Sequence, residues 1–131
     1  HDLVRDSINE LCNLRGVGPA TASAILNVYH PDQFAFMDDE VIEALYEGKR
    51  GYTLKIYEVV NERCGEICGE LNSQNTGDAD KVWTRCEVGK VLWTVAAMKA
   101  FGQDKLLSSL LEETADLNVK KRKNEVNAHL T

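Results

Sequence analysis

Apolar residues recur at steps of three and four along most of this chain, which is the spacing of a helix with one buried face. Leu3, Val4, Ile8 and Leu11 define a first helix that Asp2 can cap. An alanine-rich second helix runs from about Pro19 to Tyr29, and His30-Pro31-Asp32-Gln33-Phe34 reads as a loop. Asp38 or Asp39 is placed to cap a third helix, with Val41, Ile42 and Leu45 turned inward. After the loop Glu47-Gly48-Lys49-Arg50-Gly51, Thr53 can open a fourth, in which Tyr57, Val60, Cys64, Ile67 and Leu71 form an unbroken stripe.

The second half continues in the same style. Asn72 to Asp80 is polar and turn-rich. Thr84-x-x-Glu87 is a capping box for a fifth helix. Its apolar face is wide (Val88, Val91, Leu92, Val95, Ala96, Met98), which predicts a central position and a core role for Trp93. Trp83, just before the box, fits a hydrophobic staple. Gly102 suits the end of this helix. Leu106, Leu107, Leu110 and Leu111 predict a short sixth one. No alternating apolar–polar run marks a strand, and no repeat is present. The pattern predicts an all-α fold of about six helices around one core, with a domain over residues 1–115 and a polar, basic tail over 116–131.

One segment breaks the helical rhythm in a specific way. Leu14-Arg15-Gly16-Val17-Gly18-Pro19-Ala20-Thr21 holds two glycines one residue apart, a proline and the start of a small-residue helix. Glycine admits backbone angles other residues avoid and allows close approach of another molecule. Proline suits the first helical position, where its missing N–H costs nothing. The helix start leaves N–H donors free at Ala20 and Thr21 with partial positive charge behind them, a site for an anion such as phosphate.

Leu-x-Gly-Val-Gly-Pro-Ala-Thr-Ala resembles the helix-hairpin-helix element of DNA repair and replication proteins. The resemblance implies that the amides of Gly16, Gly18, Ala20 and Thr21, helped by Arg15, hold a phosphate of double-stranded DNA without reading its bases. It also implies a weak monovalent cation, if any is held, on the carbonyls of Cys12, Leu14 and Val17. Over about residues 7–46 the likeness extends to the base-excision DNA glycosylases that carry this element. Phe36-Met37-Asp38-Asp39 then falls where those enzymes place a catalytic aspartate. Counting from Gly18 favours Asp38, as in endonuclease III-like members; the paired acids resemble the alkyladenine branch, where the second aspartate acts. Asp38 and Asp39 both remain candidates.

The departures shape what is implied. Members that also cut the strand carry a lysine two residues after the second hairpin glycine, and Ala20 stands there, which excludes a Schiff-base lyase step at that position. Cys12, Cys64, Cys68 and Cys86 lack the clustering of an iron–sulfur site, so no cluster is expected. About one helix precedes the hairpin, where the family places several; an upstream region or a partner chain would then complete the cleft, and His1 in place of an initiator Met favours a fragment. The implied activity is that of a monofunctional glycosylase, with no other cofactor.

Bulk properties narrow the field further. The chain has 131 residues and a formal net charge of −6, which argues mildly against nucleic-acid binding. The charge is uneven: residues 1–60 carry five Lys/Arg and ten Asp/Glu, residues 61–119 six and ten, and residues 120–131 four and one. Lys120-Lys121-Arg122-Lys123 suits a nuclear import signal, a DNA-contacting tail or a solvated terminus. Gly48-Lys49-Arg50-Gly51 is a second local basic spot. No apolar run is long enough to span a membrane, and sparse cysteines point to reduced thiols in an intracellular protein; the resemblance to DNA repair proteins implies the nucleus in a eukaryote. Two further readings remain: a non-catalytic module that tethers to DNA, and a helical protein-interaction domain with no nucleic-acid role, which the acidic balance favours.

Overall fold

In the computed structural model, which describes residues 2–74 and 82–128, the chain is all-helical. Six helices follow in order: α1 (Asp2–Cys12), α2 (Pro19–Tyr29), α3 (Asp39–Leu45), α4 (Leu54–Ser73), α5 (Arg85–Ala100) and α6 (Asp104–Ala128). They divide into two compact units, residues 1–94 and 95–131, with the boundary inside α5. Residues 75–81, which hold most of the predicted polar loop, and the side chain of Asp2, the predicted cap of α1, lie outside the described residues.

In the first unit α4 is the organising helix. It packs against α1, α2 and α3, and its stripe supplies Tyr57, Val60, Cys64 and Cys68 to the core. Around them sit Ile8 of α1, Ala22 of α2, Val41 and Ile42 of α3, and Phe34, Ala35 and Met37 from the segment between α2 and α3. Burial pushes the Cys64 thiol up to about 12, so it behaves as a small apolar group at neutral pH. Thr53 caps α4 through the N–H of Ile56 at 3.3 Å.

The predicted central role of α5 is corrected. Val88 is buried and Leu92 half-buried, but Val91 and Trp93 are exposed at 47% and 48%. Four apolar positions in two turns mark a wide stripe without saying how much of it finds a partner, and α4 already fills the centre. The start of α5 is nonetheless well fixed. Thr84 Oγ1 accepts from Glu87 N at 3.2 Å and Glu87 Oε2 accepts from Thr84 N at 3.0 Å, which is the predicted capping box. Trp83 packs on the core, held by Asn72, whose side chain bonds the Trp83 N–H at 2.7 Å and the carbonyl at 3.1 Å.

Arg85 then ties three elements together. It donates to the carbonyls of Asn61 and Asp32, at 3.1 Å and 2.5 Å. The guanidinium lies over Gly65, where a β-carbon would collide with it. Gly65, which periodicity alone marks as a weak point of the helix, is the space that this arginine occupies.

In the second unit, α5 ends at a left-handed Gly102 (φ 66°). Gln103 N bonds Met98 O at 2.8 Å and Gly102 N bonds Lys99 O at 3.1 Å, the paired bonds of a Schellman turn. The sixth helix is longer than its leucine cluster predicts. It passes through Asp116 and runs to Ala128, because Leu117 to Lys123 are mostly good helix formers with no Gly or Pro to stop them. Leu106, Leu110, Leu111, Leu117 and Val119 on it are all exposed.

Candidate nucleic-acid interface

The hairpin forms because each residue type suits its place. The last turn of α1 closes with Asn13 N and Leu14 N on Asn9 O and Leu11 O, at 3.2 Å and 3.1 Å. Val17 N bonds Leu14 O at 3.1 Å, and Gly16 between them adopts φ 83°, a conformation that strains any residue with a β-carbon. Gly18 is the N-cap of α2, extended at φ −105° and ψ 179°, and Pro19 follows at the first helical position. Gly18 offers no side chain to the helix, and no acid stands in the first turn. The first N–H of α2 taken up internally is that of Ala22, on Gly18 O at 2.9 Å. The amides of Ala20 and Thr21 are therefore left to an outside acceptor, with the positive end of the helix dipole behind them. Arg15, Gly16, Gly18 and Thr21 are exposed and Ala20 is half-buried.

α3 begins in the opposite way. Asp38 is its N-cap, and Asp38 Oδ1 accepts from Val41 N at 2.8 Å. Partial burial raises the Asp38 pKa against this bond, with Glu40 and Asp39 adding repulsion. Asp39 sits one residue into the helix. It accepts a short hydrogen bond from the Tyr52 hydroxyl and an ion pair from Arg50 Nη1 at 3.2 Å. The same Arg50 nitrogen reaches Glu43 at 2.9 Å, so the arginine of the basic spot at residues 48–51 is turned onto the protein's own acids.

The two helix starts meet. Ala20, Thr21 and Ala24 of α2 and Phe36, Met37, Asp38, Asp39 and Glu40 line one open groove of about 460 Å³. Phe36 is 40% exposed along it. The structure thus brings Ala20 and Thr21 of the hairpin onto one groove with both candidate aspartates, and the position where a lyase lysine would stand opens on it.

What fixes this spacing was not visible in the sequence pattern. Residues 34–38 form neither helix nor strand, and side chains take up several of their backbone groups instead. Asn27 Nδ2 donates to Phe34 O at 2.7 Å, Asn61 Oδ1 accepts from Ala35 N at 2.8 Å, and the Tyr57 hydroxyl reaches Ala35 O at 3.3 Å. Ser23, fully buried, accepts from Met37 N at 3.0 Å and donates to Ala20 O at 2.7 Å. One hydroxyl therefore joins the first turn of α2 to the residue before Asp38. The available signal was polarity out of place: Asn61 stands four residues after Tyr57 on the apolar face of α4, and a buried amide requires partners.

Residues 1–28 match the family model of the helix-hairpin-helix motif. The N-terminal element is a helix-hairpin-helix. The match takes in α1, the turn around Gly16 and nearly all of α2, and it ends before Phe36, so the groove carboxylates lie beyond it. No curated protein and no solved structure matches the chain. Among the described residues, no helix is long and apolar enough to cross a membrane, and no three His, Cys, Asp or Glu side chains converge to hold a metal ion.

Proposed function

We propose that this chain binds the backbone of double-stranded DNA, without sequence preference, through its helix-hairpin-helix. The observation that carries this reading is the open start of α2. The N–H groups of Ala20 and Thr21 have no cap, behind a turn made possible by Gly16. Amides of this kind suit a phosphate oxygen and fix register without reporting base identity. A monovalent cation on the carbonyls of Cys12, Leu14 and Val17 would add positive charge near that phosphate. Neutral carbonyl oxygens suit a hard, weakly held ion, and Leu14 O keeps one lone pair beyond its bond to Val17 N. In a eukaryote such a protein would act in the nucleus.

The test is fluorescence anisotropy with a labelled short duplex, with and without a stable abasic-site analogue. Binding that weakens steeply with salt, and that is lost when Gly16 is replaced by Val, supports the reading. No binding to either duplex would sink it, leaving a protein-interaction domain.

A second reading, of a monofunctional DNA N-glycosylase, is favoured by the shared groove. Hydrolysis breaks the bond between sugar C1′ and the base nitrogen; water supplies the oxygen to C1′ and the proton to the departing base. Positive charge grows on the sugar as the bond breaks, and a nearby carboxylate stabilises it or takes a proton from the water. A base swung out of the duplex would enter a groove of this kind while the hairpin anchors the distorted backbone. Asp38 is held by backbone amides of its own helix start, whereas Asp39 is held by the side chains of Tyr52 and Arg50. Base release from duplexes carrying damaged bases, abolished in Asp38→Asn or in Asp39→Asn, supports this reading and identifies the acting residue. Release unchanged by both variants would exclude it.

A further inference from the structure

The hairpin leaves unused the strongest charge feature of the chain, which lies on α6. Residues 1–60 and 61–119 carry −5 and −4, whereas positions 120–131 carry +3. Within α6 the segregation is along the axis. Asp104 to Asp116 hold four acids against Lys105, and Lys120, Lys121, Arg122 and Lys123 follow in succession. Lys120 and Lys123 are exposed, and among the described residues neither forms an ion pair.

The placement of this block favours one kind of ligand. Consecutive helical positions step by about 100° around the axis, so four in a row cannot share one face. A helix that lies on a lipid surface needs basic and apolar residues on opposite faces. Here the exposed apolar residues Leu106, Leu110, Leu111, Leu117 and Val119 run up to the block, and four consecutive basic positions fall on every side of the helix, so no apolar face lies opposite a basic one. Cations distributed around a rod suit a ligand that presents anions on more than one side. The major groove of B-DNA, about 12 Å wide between two phosphate walls, admits an α-helix. Neutralising phosphates also needs no defined face and no base contact. Formal positive charge supplies the long-range attraction that hairpin amides in an acidic unit lack.

We infer that the C-terminal half of α6 is a second duplex contact, in which Lys120, Lys121, Arg122 and Lys123 bind backbone phosphates independently of the hairpin. The inference rests on duplex DNA being the ligand.

The experiment is the salt dependence of affinity for one unmodified duplex, measured on the whole chain. Four proteins are compared: the native sequence, the charge-neutral K120Q/K121Q/R122Q/K123Q variant, its charge-conserving counterpart K120R/K121R/R122K/K123R, and Gly18→Asp. The neutral variant should reduce the slope of log affinity against log salt by about 3 to 4, since each of four phosphate contacts contributes about 0.9. It should bind at least about tenfold more weakly near 0.1 M salt, and the charge-conserving variant should restore both values. An unchanged slope in the neutral variant overturns the inference, as does loss that appears only toward vesicles of anionic lipid. Loss confined to Gly18→Asp would keep the hairpin and remove the α6 contact. Loss confined to the neutral variant would keep α6 and remove the hairpin, and no binding by the native chain would remove both.

Discussion

Two helices start on one groove, and they start differently. α3 is closed by its own carboxylate: Asp38 caps it, and Asp39 and Glu40 fill its first turn. α2 is left open, with a glycine at the cap and no acid in the first turn. Helices α4 and α5 follow the closed pattern, through Thr53 and through the Thr84–Glu87 box. Side chains cap α3, α4 and α5, whereas the first amides of α2 have no cap from the protein, which is the contrast on which the proposed phosphate contact rests. The same contrast sets the carboxylates of Asp38 and Asp39 on the groove that the uncapped start of α2 also lines.

The contrast can be broken at the link between the two ends. Ser23→Ala removes the hydroxyl between Ala20 O and Met37 N and leaves a buried amide without an acceptor. The expected cost is about 2 kcal/mol, a fall in Tm of roughly 10 °C for a unit of this size, read by thermal denaturation. A variant that melts within about 2 °C of the native protein would mean that the 34–38 segment is held without Ser23.

The contrast can also be erased by giving α2 the kind of start that α3 has. A β-carbon at Gly18 meets nothing within 4 Å, and the backbone there is already extended, so Gly18→Asp can be built without strain. The added carboxylate should satisfy the free amides and raise stability by a few tenths of a kcal/mol. It should also repel phosphate and weaken duplex binding at least about tenfold, roughly 1.4 kcal/mol. Stability and affinity moving in opposite directions is the signature; falling together, they would show only a damaged hairpin.

At the closed end, Asp38→Ala should cost about 1 kcal/mol by removing the cap, whereas Asp38→Asn should cost much less because asparagine caps about as well. Chemical denaturation of the pair separates capping from charge. The smallest effect is on pH dependence. Partial burial raises the Asp38 pKa above its unfolded value of 3.8, so its contribution to stability is complete below pH 3.8 and is lost as pH rises through the raised value. Urea midpoints between pH 3 and 7 should lack that component in Asp38→Asn.

Local chemistry was legible in the sequence, and long-range chemistry was not. Gly16, Gly18 and Pro19 announced the hairpin because a left-handed residue and a first-turn proline are requirements of a few consecutive residues. The Thr84–Glu87 box and the stripe from Tyr57 to Leu71 were readable for the same reason. Val91 and Trp93 misled because an apolar stripe records the wish to be buried, while the number of neighbours is decided elsewhere in the fold. Nothing near Asp38 in sequence pointed to Ser23, Asn27 or Asn61, since each acts across 7 to 26 residues of chain. The groove was accessible only as a spacing between Gly18 and Asp38, and its second wall, Phe36 and Glu40, emerged from the way that segment is held.

The segment from Phe34 to Asp38 behaves as a ruler. Its backbone is read at alternate residues, Ala35 by Asn61 and Met37 by Ser23, with Phe36 turned outward between them. Shortening or lengthening the chain by one residue between Tyr29 and Asp38 would move both amides off their readers at once and exchange Phe36 with a buried neighbour. Substitutions that keep size and polarity can be absorbed there, but changes of length cannot, so the distance from the open start of α2 to the groove carboxylates is written in the number of residues as much as in their identity.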